Sequence, residues 1–247
     1  MQNPLKDPSR PIDMRRVREW FDIGGIEIPR EEETKHLLML GDIGSGKSSL
    51  FRWYLYQIRL RDEPAIIVDL DREFIETFYV PGKDKILNPT DRRMPRWTPG
   101  REVNTVGEAE ALASSFLPGE PNGLNSFFTL TARGALVDFL AIFDRDDPAA
   151  ISKACTMPLR ELHANLQGRP SSSSLTPEAA PTAENVRATL QAATRGLNLL
   201  PKGNPDREAW TLKNWVANPT GWLFLTSTPD DWEVTKPLIT AWLDILA

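Results

Sequence analysis

Apolar positions near the start of the chain occur in short runs separated by polar breaks, and their spacing predicts an α/β arrangement. FDIGGIEIP (residues 21–29) alternates as a short hairpin or edge strand does. Residues 36–40 predict a buried strand, residues 48–61 have helical spacing, and residues 65–70 predict a second buried strand. Strand, helix and strand in this order favour a right-handed βαβ unit with a parallel sheet.

The pattern changes after Thr105, where alanine and leucine become frequent and helical spacing replaces strand-like runs. The predicted helices cover residues 106–116, 126–143, 150–167, 183–200 and 207–216. Residues 71–100, rich in proline and charge, predict an extended surface loop, and the serine run at residues 171–174 predicts a mobile loop. A strand returns at GWLFLTS (residues 221–227), followed by a closing helix at about residues 232–246.

Between the first predicted strand and helix lies GDIGSGKS, which matches the P-loop pattern G-x-x-x-x-G-K-[ST]. Its glycines let backbone N–H groups converge on an anion at the positive end of the next helix. Lys47 and Ser48 are the predicted catalytic residues, Lys47 for the β- and γ-phosphates and Ser48 as a Mg²⁺ ligand. The predicted nucleotide-binding residues are Gly41, Asp42, Ile43, Gly44, Ser45, Gly46, Lys47, Ser48 and Ser49. The alternative, a glycine-rich turn that binds nothing, fits the flanking strand and helix less well.

The fold predicted from these patterns is an α/β P-loop core with a parallel sheet, interrupted by an all-α insertion. Its predicted segments are an N-terminal arm (residues 1–22), a first nucleotide-binding part (23–102), an all-helical subdomain (103–219) and a resumed nucleotide-binding part (220–247). Hydrolysis also needs a carboxylate near Mg²⁺ or the attacking water. Asp69 and Asp71 end a predicted strand where α/β sheets bind ligands, although a strand end or a helix cap is the simpler interpretation of Asp69.

Composition limits the function classes. The chain has 247 residues, 40% of them hydrophobic, which suits one large domain or a domain with an insertion. A formal charge of -5 argues against coating nucleic acid by bulk charge, so any DNA contact is expected to be local. The single cysteine excludes an internal disulfide, and no apolar stretch approaches the roughly 20 residues of a membrane helix. A soluble, cytoplasmic chain is therefore expected.

Other candidate groups carry weaker signals. A basic cluster surrounds Trp97 and would suit phosphate contacts with one stacking platform; its arginines are Arg92, Arg93, Arg96 and Arg101. The favoured alternative buries Trp97 and pairs the arginines with acids, and DNA-binding residues are not identifiable from the sequence. His36, His163 and Cys155 are interpreted as structural.

Three segments together resemble the TraD/TrwB-type coupling proteins, the DNA-translocating P-loop ATPases of conjugation and type IV secretion related to FtsK and HerA motors. They are IPREEETKHLLMLGDIGSGKSS, IIVDLDREFIETFY and DKILNPTDRRMPRW, and GWLFLTS with Lys236 to Ile239 extends the likeness over residues 23–247. The resemblance implies a RecA-like motor domain with an all-α insertion, a hexameric ring around DNA, and ATP with Mg²⁺ as cofactors. It also implies that residues 103–219 recruit a relaxosome or secreted substrate, at the cytoplasmic face of the inner membrane beside other secretion components.

The chain departs from that family in two respects. Members typically begin with membrane-spanning helices, which this sequence does not contain. Their Walker B acid pair lies on a strand that would follow residue 247 here, where the sequence stops. The sequence is therefore interpreted as a truncated form that binds ATP weakly and hydrolyses it negligibly. The alternative function is a non-hydrolysing adaptor whose helical subdomain docks a partner; a small-molecule kinase suits the long insertion less well.

Overall fold

The computed structural model describes residues 14–119, 126–201 and 210–247. Contacts divide the chain into two units. The first comprises the described residues up to Asp84 together with Thr220–Phe224, and the second comprises Lys85–Pro219 and Leu225–Ala247. The predicted division into four segments rests on other criteria and stays a prediction.

The first unit begins with helix α1 and an antiparallel hairpin, in which Trp20 pairs with Pro29 across β1 and β2. The hairpin predicted for residues 21–29 is confirmed. Gln57 joins it to α2, because its amide accepts from the Asp22 N–H and donates to the Asp22 carbonyl, both at 2.8 Å. The elements of this unit are α1 (Met14–Glu19), β1 (Trp20–Ile23), β2 (Ile26–Pro29), α2 (Lys47–Leu60), β3 (Ala65–Asp69) and α3 (Ile75–Phe78).

The second unit is mostly helical. Its first elements are β4 (Lys85–Leu87), α4 (Pro99–Glu102), α5 (Val106–Phe116), α6 (Ser126–Ile142), α7 (Ala150–Thr156) and α8 (Leu159–Asn165). They are followed by α9 (Ala180–Thr194), α10 (Leu212–Ala217), β5 (Trp222–Thr226, shared by the two units) and α11 (Trp232–Leu246). The predicted bounds of α5 and α11 are confirmed. Thr105 explains the start of α5, since its hydroxyl accepts from the Glu108 N–H while the Glu108 carboxylate accepts from Thr105, a capping box.

The strand predicted at residues 221–227 lies at the centre of a three-stranded sheet of order β3-β5-β4. The sheet is parallel, as predicted. Every residue of β5 is buried, whereas Ile66 and Val68 of β3 are 41% and 46% exposed. The strand predicted at residues 65–70 is thus confirmed, but the prediction that it is buried is wrong for these two side chains.

The strand predicted at residues 36–40 is not formed. These residues have no regular structure and belong to neither sheet in the described part of the chain. Leu38 and Leu40 are 78% and 83% exposed. A strand depends on ladder hydrogen bonds with a neighbouring strand, which an apolar sequence cannot supply by itself. The predicted βαβ unit is therefore represented only by its helix and its second strand.

Residues 71–100 are not the extended surface loop that their proline and charge predicted. They include α3 and β4, and the side chains of Ile86, Leu87, Met94 and Trp97 are fully buried. Charged groups of this segment that lie close to the core are compensated by partners, some near in the chain and some distant, as in the pairs of Asp84 with Arg59 and Arg96 with Asp146. Asp91, for example, accepts from its neighbour Arg93.

Two predictions in the helical unit are also corrected. Residues 150–167 form two helices, α7 and α8, because Pro158 cannot continue the hydrogen-bonded ladder. The serine run forms a 3-10 turn at Pro170–Ser173, and the Ser171 N–H and hydroxyl donate to the buried Asp138 carboxylate at 2.9 and 2.6 Å. The helix predicted at residues 207–216 lies partly outside the described residues, and α10 begins at Leu212.

Gly221 precedes the central strand in a conformation that only glycine tolerates there. Its φ is +64°, and an added Cβ would overlap the Lys83 carbonyl oxygen. We expect Gly221→Ala to lower the free energy of unfolding by about 3 kcal/mol, because backbone strain and overlap add. Gly82→Ala is the matched control: its φ is +82° with no atom within 4 Å of the added Cβ, so about 1 kcal/mol is expected. Urea denaturation of both variants measures the difference, and equal losses would contradict it.

Candidate functional site

The P-loop turns into α2 through two glycines in the left-handed region. Gly44 has φ +80° and Gly46 has φ +92°, and Gly46 is the N-cap of α2. No side chain caps this helix start. The first-turn N–H groups of a helix have no intrahelical partner, so the amides at Lys47 and Ser48 are available to an anion at the positive end of a 14-residue helix.

Lys47 is folded back over the loop. Its ammonium donates to the carbonyl of Gly41 and, at 2.7 Å, to the carbonyl of Asp42. These carbonyls are neutral acceptors on an exposed loop, so a phosphate could replace them as the partner of the lysine. The hydrogen bond of Lys47 to Gly41 closes the loop on itself; the roles of Gly41, Gly46, Lys47 and Ser48 toward a nucleotide stay a prediction.

Ser48, the predicted magnesium ligand, faces a carboxylate that sequence reasoning did not select. Its hydroxyl donates to Oε2 of Glu73 at 3.3 Å, and Oε1 of Glu73 accepts from Arg52 at 2.6 Å. Arg52 lies one turn after Ser48 on α2, which places both on one helix face. The signal that could have found Glu73 is its position four residues after the acid that ends β3.

Asp69 is buried and has a structural role. Its carboxylate accepts from the N–H groups of Glu73 and Phe74 at 2.9 Å and of Ile75 at 2.8 Å. The Asp69 carboxylate thus holds the turn that leads into α3, and with three backbone donors satisfied it is poorly placed to hold Mg²⁺. Asp71, the other candidate, is exposed two residues beyond the strand.

The structure agrees with the favoured alternative for the arginines around Trp97, in which the indole is buried and arginines pair with acids. Trp97 is fully buried, stacks edge-on against Trp242 and donates to Glu102 at 2.7 Å. Burial raises the pKa of the Glu102 carboxyl, although backbone donors at Leu212 and Lys213 oppose the shift. Three of the arginines pair with acids, namely Arg93 with Asp91, and Arg96 and Arg101 with Asp146.

Cys155 and His163, both interpreted as structural from the sequence, lie in surroundings of that kind. Cys155 is buried, and burial raises the pKa of its thiol to about 11, so little thiolate exists at neutral pH. His163 hydrogen-bonds the Leu175 carbonyl at 3.2 Å. Residues 14–119, 126–201 and 210–247 contain no group of three acidic, His or Cys side chains arranged to hold a metal. Nor does a described helix combine the length and apolar character needed to cross a bilayer.

Comparison with known proteins extends this picture. Residues 20–247 match the family described as type IV secretion-system coupling protein DNA-binding domain. A curated relative, the coupling protein TraD of Escherichia coli (strain K12), is 27% identical over 98% of this chain and 34% of its own length.

Solved structures of the plasmid coupling protein TrwB are similar to this chain. The complex with ADP and Mg²⁺ has a TM-score of 0.77 and 26% identity over 92% of this chain and 55% of that one. The complex with the non-hydrolysable ATP analogue ADPNP has a TM-score of 0.77 and 25% identity over 94% of this chain and 58% of that one. The fold is thus an α/β, RecA-like P-loop fold. The chain spans about a third of TraD and just over half of TrwB.

Proposed function

We propose, from the premise that this chain belongs to the family of type IV secretion-system coupling proteins, that it is the ATP-binding motor part of such a protein. In this role it moves DNA, or DNA with an attached protein, toward a secretion channel. Because the chain spans only part of its relatives' length, the activity, substrates and partners of the whole protein belong to the proposal.

The observation that carries the proposal is the uncapped start of α2 behind Gly44 and Gly46. Convergent backbone amides and a helix dipole bind a phosphate group without a dedicated pocket. The proposed ligand groups are the amides of residues 41–49, the Lys47 ammonium at the β- and γ-phosphates, and the Ser48 hydroxyl at Mg²⁺. TrwB, which has the same fold, has been solved with ADP and Mg²⁺ and with ADPNP.

The residues near Ser48 suit a magnesium ion. Mg²⁺ prefers oxygen donors, and the site offers a hydroxyl with a carboxylate 3.3 Å away. Ser48 would hold the Mg²⁺ of a bound nucleotide, and the ion would supply positive charge that offsets the charge developing on phosphoryl transfer. The chain's own contribution is to bind and orient the phosphates through Lys47 and the loop amides.

The proposed partners follow the family. They are DNA, held through local contacts because the chain is net acidic, a relaxosome or secreted substrate docked on the helical region, and inner-membrane secretion components. The proposed motor also assembles as a hexameric ring of identical subunits, with ATP bound at the subunit interfaces.

Coupling between nucleotide and DNA tests the motor directly. A motor needs its nucleotide state to change its grip on DNA, and such coupling is typically about 5- to 150-fold in affinity. We expect labelled single- or double-stranded oligonucleotides, followed by fluorescence anisotropy, to bind this chain at least about 5-fold differently with ADPNP than with ADP, both with Mg²⁺. Salt is held constant because phosphate contacts depend on it. Equal affinities in both states would contradict the motor and favour the adaptor.

A further inference from the structure

Glu73 occupies a defined place beside the P-loop. Asp69 accepts from its backbone N–H at 2.9 Å, and Arg52 binds one of its carboxylate oxygens at 2.6 Å. The other oxygen lies 3.3 Å from the Ser48 hydroxyl. Asp69 thus holds the backbone of Glu73 and Arg52 holds its side chain. The second carboxylate oxygen is directed at the hydroxyl of Ser48, the proposed magnesium ligand.

The ion pair between Arg52 and Glu73 contributes little to the stability of the fold. The side chains of Arg52 and Glu73 are 31% and 36% exposed, and partly exposed ion pairs contribute little to stability. A carboxylate at this point also opposes the binding of a phosphate, because like charges repel. The Glu73 carboxylate favours nucleotide binding only if a cation lies between it and the phosphate. Arg52 does not fill that place, because it already binds the other carboxylate oxygen.

We propose that Glu73, oriented by Arg52, is a positioning residue for the magnesium ion of the bound nucleotide, acting through Ser48 or an ion-bound water. The inference rests on the proposed nucleotide function. Mg²⁺ keeps about 2 Å from its oxygen ligands and retains several waters, so an ion on the Ser48 hydroxyl shares its surroundings with a carboxylate 3.3 Å from that hydroxyl. Groups that hydrogen-bond metal ligands or metal-bound waters commonly change metal affinity about 10- to 100-fold.

The test separates magnesium affinity from nucleotide affinity. Fluorescent mant-ADP is titrated onto the protein in EDTA, and Mg²⁺ is then added to find the midpoint of its effect on binding. In Glu73→Gln we expect the Mg²⁺ midpoint to rise about 10-fold. Affinity in EDTA should be equal or tighter, because a repulsive charge has been removed. Arg52→Gln should raise the midpoint by a smaller factor, since the carboxylate remains but is less well oriented.

Glu76→Gln is the matched control, because it removes the same charge three residues away from an exposed position on α3; its midpoint should equal that of the wild type. Thermal unfolding of every variant checks that the fold is intact. If Mg²⁺ changes binding to the wild type and Glu73→Gln has the same Mg²⁺ midpoint, the inference is overturned while the proposed function stands. Wild-type binding that ignores Mg²⁺ would also overturn it, whereas a wild type that binds no mant-ADP would overturn the proposed function and the inference together.

Discussion

Replacing Lys47 with alanine is expected to weaken ATP binding about 10- to 100-fold while leaving the fold intact. Hydrogen bonds between charged groups contribute about 1.5–3 kcal/mol, and the alanine variant loses the ammonium proposed for the β- and γ-phosphates. Stability should not change measurably, because the Lys47 ammonium donates to carbonyls of Gly41 and Asp42 on an exposed loop. Isothermal titration calorimetry with ADPNP and Mg²⁺ measures the loss.

Lys35→Ala is the control for removing a positive charge close to the same loop. Lys35 is exposed and paired with Glu32, so its removal should leave affinity within a factor of about two, as expected for a screened surface charge. If Lys47→Ala bound ADPNP as tightly as Lys35→Ala, the loop would not hold phosphates through its lysine. The P-loop assignment would then rest on the backbone alone.

Replacing Asp84 with alanine is expected to lower the free energy of unfolding by about 4 kcal/mol. The Asp84 side chain is fully buried and receives two bonds from Arg59, at 3.0 and 2.6 Å. It also accepts from the N–H groups of Val80 and Trp222, each at 2.8 Å. Alanine would leave the Arg59 guanidinium with the Phe78 carbonyl as its remaining acceptor and would remove the acceptor of two backbone N–H groups. Leaving a buried donor unpaired costs more free energy than a typical hydrogen bond contributes to stability.

Urea denaturation at constant pH measures this loss for Asp84. Asp62→Asn, which removes the negative charge of a carboxylate from the same unit, provides the contrast. Asp62 is exposed and pairs with Lys83 at the surface, and asparagine tolerates its left-handed φ of +59°, so no resolvable change in stability is expected. A loss below about 1 kcal/mol in Asp84→Ala would mean that water reaches this site and replaces the missing acceptor.

Elements whose sequence periodicity agrees with their environment could be predicted closely. The hairpin at Trp20–Pro29, α5 and α11 are of this kind, because turn glycines, a capping box and helical apolar spacing act between near neighbours. The same holds for β5, where a continuous apolar run corresponds to burial on both faces. Such signals are local in the chain, so one sequence suffices to detect them.

Predictions failed where the outcome depended on distant residues. Residues 36–40 are as apolar as a buried strand, yet Leu38 and Leu40 are exposed, since no strand in the described part of the chain pairs with them. Conversely, the proline and charge between residues 71 and 100 concealed the buried Trp97, whose indole is satisfied by Glu102. Periodicity cannot report a partner that lies elsewhere in the chain.

The P-loop and its family were determined by the sequence itself, because the groups that bind phosphate are contiguous and their geometry follows from two glycines and a helix start. The different roles of Asp69 and Glu73 beside the P-loop were decided only by the tertiary structure. Asp69 and Glu73 are four residues apart and chemically alike, but one carboxylate is turned into three backbone amides and the other toward Ser48. That difference arises from the turn of the chain after β3, which directs three backbone N–H groups at Asp69 and brings Glu73 to the start of α2.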